Sequence, residues 1–140
     1  ILYEVAYTGH AIELYKMKKY KQAIEALNQA KIWDESMGVG KPFDADNRIQ
    51  DYILSLCYAK LGLQNKFDIT QNNIIQFSLD NKDSNSDRRF IGMKVLKELD
   101  RENELKELMK SNEDWKQIIH DLEENHTSLL LSLILKTVNL

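Results

Sequence analysis

The chain contains a single cysteine, Cys57, which excludes an intrachain disulfide framework and any cysteine-rich zinc site. It contains one proline and five glycines in 140 residues. A β-sandwich or β-barrel needs more turn punctuation than that, so helices are favoured. No long apolar run is present: the longest, residues 129–138, is interrupted by Ser132, Lys136 and Thr137. A spanning helix needs about 20 apolar residues, so no membrane span is expected, and a packed C-terminal helix is the better reading. Excess positive charge is also absent. The formal net charge is −3, which argues against non-specific nucleic-acid binding. No basic and apolar leader is present, and the chain starts Ile1-Leu2-Tyr3 without a methionine, so a piece of a longer or processed protein is expected.

What is present is helical periodicity in a globular composition, 43% hydrophobic and 29% charged. Residues 4–17 place Val5, Tyr7, Ala11, Ile12, Leu14 and Tyr15 at helical spacing, and residues 20–32 place Ala23, Ile24, Leu27 and Ala30 on one face. The short turn between them makes the two helices antiparallel neighbours. The plan recurs over Ile49–Leu61, closed by Gly62 as a helix C-cap, then over 65–79, 87–99 and 102–110. Ser111 with Asp114 resembles a capping box opening a seventh helix, Asn125 breaks it, and an eighth is expected from Thr127. Leu61-Gly62-x4-Phe67 matches Leu99-Asp100-x4-Leu105, and Lys18-x-Tyr20-x-x-Ala23 occupies the equivalent turn of the first pair. Hairpins of this kind bury their apolar faces by stacking, as in a helical solenoid.

The first pair carries Tyr7, Ala11, Leu14, Tyr20, Ala23, Leu27 and Ala30 at a spacing that resembles the tetratricopeptide repeat. The likeness weakens through Leu54, Ser55, Tyr58 and Gly62 and again through Met93 and Leu96; Phe67 and Leu105 stand where that family wants small residues. The resemblance implies an all-α chain, a right-handed α-α superhelix of about three hairpins. These would be repeat 1 over 4–33, repeat 2 over 48–79 and repeat 3 over 87–110, with a long loop 34–47, a polar loop 80–86 and capping helices over 111–140. The 34–47 loop resembles one in the C-terminal repeat region of large bacterial proteins whose N-terminal part is a β-sandwich. That likeness implies a bacterial chain, cytoplasmic or periplasmic.

No catalytic constellation stands out. Gly38, Gly40 and Lys41 lack the spacing of a phosphate loop, because Glu35 and Pro42 occupy the decisive places. Loops starting at Asp44 or Asp83 put Ile49 and Ser55, or Arg88 and Lys94, where an EF-hand needs glycine and glutamate. His10, His120 and His126 form no metal-ligand pattern, and Cys57 among Leu54, Leu56 and Tyr58 reads as a buried thiol. Neither a metal nor a cofactor is called for.

The family resemblance instead implies a concave groove lined by the first helix of each pair. The positions are Thr8, Ile12 and Tyr15, then Tyr52, Leu56 and Lys60, then Phe90, Lys94 and Lys97. For each, the alternative is packing against the next helix. Lys41, Asp44, Asp46 and Arg48 are the loop candidates, with Asp44 or Asp46 also suited to capping the third helix. The expected function is a non-catalytic module that binds a protein, a peptide or another domain of its parent chain. The alternatives are a structural role, including a homodimer through the apolar C-terminal helices, and a helical appendage of a carbohydrate-active protein.

Overall fold

A computed structural model describes residues 2–31, 46–82, 86–110 and 113–125. Among the described residues the chain is all-α, with seven helices and no strand: α1 (Leu2–Lys16), α2 (Tyr20–Lys31), α3 (Arg48–Lys60), α4 (Gln64–Asp80), α5 (Ser86–Glu98), α6 (Glu102–Leu108) and α7 (Trp115–Asn125). The helix expected from Thr127, and the homodimer surface assigned to it, fall outside the described residues. No described helix is long and apolar enough to cross a membrane.

Three connections, α1–α2, α3–α4 and α5–α6, are built the same way. Lys18, Gly62 and Asp100 take left-handed backbone, with φ of 62°, 71° and 55°. The amide of the next residue reaches back five positions: Lys19 donates to the carbonyl of Leu14, Leu63 to Tyr58 and Arg101 to Leu96. Lys18, Gly62 and Asp100 donate to Tyr15, Ala59 and Lys97. This pair of bonds is a Schellman cap, which satisfies carbonyls the helix end would leave open and reverses the chain within three residues.

Side-chain pairs set the direction of each helix. Gln50 Nε2 donates to Thr8 Oγ1 at 3.2 Å across 42 residues. Cys57, the same distance from Tyr15 in sequence, stands near enough to help raise the Tyr15 phenol. A constant offset means that α1 and α3 run parallel. In α3 and α4 the order is reversed: Gln71 donates to Ser55 at 3.0 Å and Arg48 Nη1 to Ser78 at 3.2 Å, so these helices are antiparallel.

The core runs along the stack. Ala11, Ala23 and Leu27 are fully buried in the first pair; the two alanines allow a close helix approach and Leu27 fills the space between. Ile49, Ile53, Leu54, Cys57, Ile74 and Ile75 continue it, then Phe90, Ile91, Met93, Val95, Leu96, Leu105 and Leu108. The α3 helix is central: even its polar Arg48, Gln50, Asp51 and Ser55 are buried. The seventh helix begins later than the sequence suggests. Gln117 N–H donates to Asp114 Oδ1 at 3.0 Å, so Asp114 caps α7; Ser111 lies outside the described residues.

Candidate functional site

The helices α1, α3 and α5 bring most of the expected groove positions together, but into the interior. Thr8 is fully buried, and Ile12, Tyr52 and Phe90 are each 1% exposed. Neighbouring helices cover them. Thr8 accepts the Gln50 hydrogen bond, and Phe90 stacks on Trp115 of α7 with ring centroids 5.4 Å apart. Tyr52 donates its hydroxyl to Glu98 Oε1 at 3.2 Å. Lys94, which the family resemblance implied to lie in the groove, is buried as well, and its Nζ meets the same Glu98 oxygen at 2.6 Å. These five residues are therefore core or buried polar positions, not an open floor.

Four positions keep an accessible surface. Tyr15 and Leu56 are half-buried, while Lys60 and Lys97 are exposed. Tyr15 packs on Tyr20 with centroids 5.6 Å apart and planes tilted by 59°. The Lys97 ammonium stands 5.2 Å from the Trp115 ring centroid, within cation–π range. Burial keeps the hydroxyls of this face protonated. Burial raises the Tyr52 phenol far above its ordinary value, and the adjacent Glu98 adds to the effect. Burial, then Tyr20 and Cys57, raise that of Tyr15.

Of the loop candidates, Lys41 and Asp44 lie outside the described residues. Asp46 and Arg48 are ordered as a pair, and Arg48 is not a surface loop residue but the first residue of α3, 1% exposed. Asp46 Oδ1 accepts from the Arg48 backbone N–H at 3.1 Å and from Nε at 3.0 Å, and its Oδ2 accepts from Nη2 at 2.7 Å. The guanidinium also sits 4.9 Å from the Phe77 ring centroid. A planar fork that must be buried gains most from this bidentate geometry.

Beside this pair lies a cavity of about 230 Å³ lined by Lys31, Asn47, Arg48, Asp51, Asn73 and Phe77. Lys31 Nζ bridges to Asp51 Oδ1 at 2.8 Å. Burial raises the Asp51 carboxyl above its usual range, against the opposing pull of Lys31. Sequence reasoning missed Lys31, Asp51 and Asn73, because nothing in their spacing marks them. Glu98, four residues after Lys94 on one helix face, was readable as a partner.

Among the described residues no three His, Cys, Asp or Glu side chains gather as metal ligands. Cys57 is fully buried, and burial pushes its thiol up to about 11, which leaves little nucleophilic thiolate near neutral pH. No protein-family profile, no curated protein and no solved structure matches this chain.

Proposed function

We propose that the chain is a non-catalytic interaction module of tetratricopeptide-like hairpins wound as a right-handed superhelix, and that it takes a protein, a peptide or another domain of its parent chain. The face formed by α1, α3 and α5 carries the contact, through Tyr15, Leu56, Lys60 and Lys97. The observation that carries this reading is that Tyr15, Leu56 and Lys60 stay accessible on the parallel helices α1 and α3 beside a buried floor, with Lys97 exposed on α5, which meets α3 through Tyr52 and Glu98. A rigid aromatic anchor with an aliphatic neighbour supplies desolvated contact area, and the lysines select acidic groups on a partner. The shared turn geometry at Lys18, Gly62 and Asp100 supports the repeat character of the hairpins.

The test begins with a photo-reactive residue at position 56 and a control at Ile69, which is 61% exposed on α4. A partner cross-linked from position 56 and not from 69 is then purified and titrated against the chain. A double Tyr15→Ala, Leu56→Ala variant is expected to bind it at least tenfold more weakly with its helical signal intact. Undiminished binding by that variant would sink the assignment of this face.

A further inference from the structure

The first two hairpin turns carry a chemistry that extends beyond the binding face and shares only Lys60 with it. Because α1 and α3 run parallel with an offset of 42 residues, the α1–α2 turn stands level with the α3–α4 turn at one end of the stack. Residues 14–24 contain Lys16, Lys18, Lys19 and Lys21 and no carboxylate; residues 52–67 contain Lys60 and Lys66 and no carboxylate. That concentration occurs in a chain whose net charge is −3.

All six lysines are exposed. Lys16 reaches Glu13 at 3.4 Å on open surface, and Lys66 stands 5.8 Å from the Tyr58 ring centroid. Among the described residues Lys18, Lys19, Lys21 and Lys60 make no ion pair. Between them Met17 is 55% exposed and Leu63 40% exposed, each beside a left-handed residue where the chain reverses away from the core. The third turn differs. Leu99 is 42% exposed, but Glu98, Asp100, Glu102 and Glu104 outnumber Lys97 and Arg101 around it, so an excess of positive charge marks only the first two tips.

We propose that this double tip is a peripheral membrane surface selective for anionic bilayers. Met17 and Leu63 enter the headgroup boundary, and the lysines lay their stems beside them with ammonium groups on lipid phosphates. Tyr20, half-buried at the start of α2, supplies an amphipathic ring at the same depth. An acidic peptide suits these features less well. The two apolar side chains project singly from turns and do not line a groove, whereas a planar charged surface meets both tips at once.

The experiment is co-sedimentation of the full chain with vesicles of phosphatidylcholine alone and of phosphatidylcholine mixed with phosphatidylglycerol. Binding is expected on the mixed vesicles only, weakening as salt rises. Each of Lys18→Gln, Lys19→Gln, Lys21→Gln and Lys60→Gln should weaken it roughly fivefold. A Met17→Ser, Leu63→Ser variant should weaken it by tenfold or more, while Leu99→Ser leaves it unchanged; circular dichroism checks that each variant is folded. In a second readout, Met17→Trp emission shifts to the blue on mixed vesicles and stays unshifted on neutral ones. No binding to mixed vesicles at low salt, equal binding to both vesicle types, or indifference to Met17 and Leu63 overturns the proposal. So does lysine-dependent binding to heparin by a chain that ignores vesicles, which would assign the tips to an acidic polymer.

Discussion

Gly92 of α5 lies against Ser78 of α4 so closely that a β-carbon on the glycine would stand 2.1 Å from the serine hydroxyl oxygen and 2.7 Å from its β-carbon. Alanine is favoured over glycine in a helix interior by about 1 kcal/mol, so propensity alone makes Gly92→Ala stabilising. The contact reverses that expectation. Ser78 cannot simply turn away, because its oxygen accepts from the buried Arg48 guanidinium. Gly92→Ala is expected to lose about 1–3 kcal/mol by overpacking, measured as a fall in the urea midpoint. Adding Ser78→Gly should return part of the loss, and strictly additive effects in that double-mutant cycle would contradict the close contact.

The turns make the opposite case. Lys18 and Asp100 hold left-handed φ that costs a non-glycine residue about 1 kcal/mol, while Gly62 holds the same conformation without that cost. Lys18→Gly and Asp100→Gly are each expected to raise stability by up to about 1 kcal/mol, and Gly62→Ala to lower it by a similar amount. Thermal unfolding of the three single variants measures this. Destabilisation by both glycine substitutions would contradict a backbone origin.

The pattern of what could be read from the sequence follows from the same contacts. Helical spacing marked Ala23, Leu27 and Ala30, all of which are buried, and Gly62 was legible as a cap because glycine announces a left-handed residue. Lys18 and Asp100 announce no left-handed residue themselves; only the repeat that aligns their turns with Gly62 pointed to them. Periodicity also shows which face of a helix is apolar but not how many neighbours cover it. The tetratricopeptide resemblance implied a groove at Thr8, Ile12, Tyr52 and Phe90, and these positions prove to be interior. On α3 the polar Arg48, Gln50, Asp51 and Ser55 hide the burial altogether, since the pattern reads polar as exposed. The Asp46–Arg48 pair lay within two residues, yet its importance depends on Ser78 and Phe77 from another helix.

Two ion pairs near the same cavity should differ sharply in worth. The Arg48 side chain is 1% exposed, so removing the Asp46 carboxylate leaves a buried cation without its counter-charge. Lys31 is 32% exposed in its pair with Asp51, so removing the Asp51 carboxylate leaves a cation that water can solvate. Asp46→Ala is expected to cost about 3 kcal/mol and Asp51→Ala about 1 kcal/mol or less. Equilibrium urea unfolding at moderate ionic strength decides it, and comparable losses from the two substitutions would overturn the burial argument.

A carboxyl with the reverse environment should show in the acid range. Burial alone would raise Glu113, but its hydrogen bonds to Arg89 and to the Lys110 backbone, with the charges behind them, outweigh burial and hold it below its ordinary value. A carboxyl depressed in the folded state stabilises above its unfolded pKa, and that contribution is lost as pH falls through the folded value. The native chain should therefore lose more stability between neutral pH and the acid limb below pH 4.5 than Glu113→Gln does. The anchor here is Arg89, which also donates to the Leu108 carbonyl at 2.6 Å, so the pair ties α5 to the segment leading into α7.

The buried thiol sets the alkaline limit. Cys57 has its ordinary value of 9.0 pushed up to about 11 by burial. A group raised in the folded state contributes stability that is complete below its unfolded pKa and disappears as pH climbs through the folded one. The native chain should thus lose more stability between pH 9 and pH 11 than Cys57→Ala, which cannot ionise there. Tyr15 and Tyr52 are raised too, and both chains retain them; the part of the Tyr15 shift that comes from Cys57, the smallest of its causes, disappears with the thiol and belongs to the same difference. The same burial predicts that a thiol reagent at neutral pH reacts only as fast as the core opens, and that urea at the unfolding midpoint accelerates labelling by orders of magnitude. Rapid labelling of the folded chain would show that Cys57 is accessible and would remove the basis for the alkaline prediction.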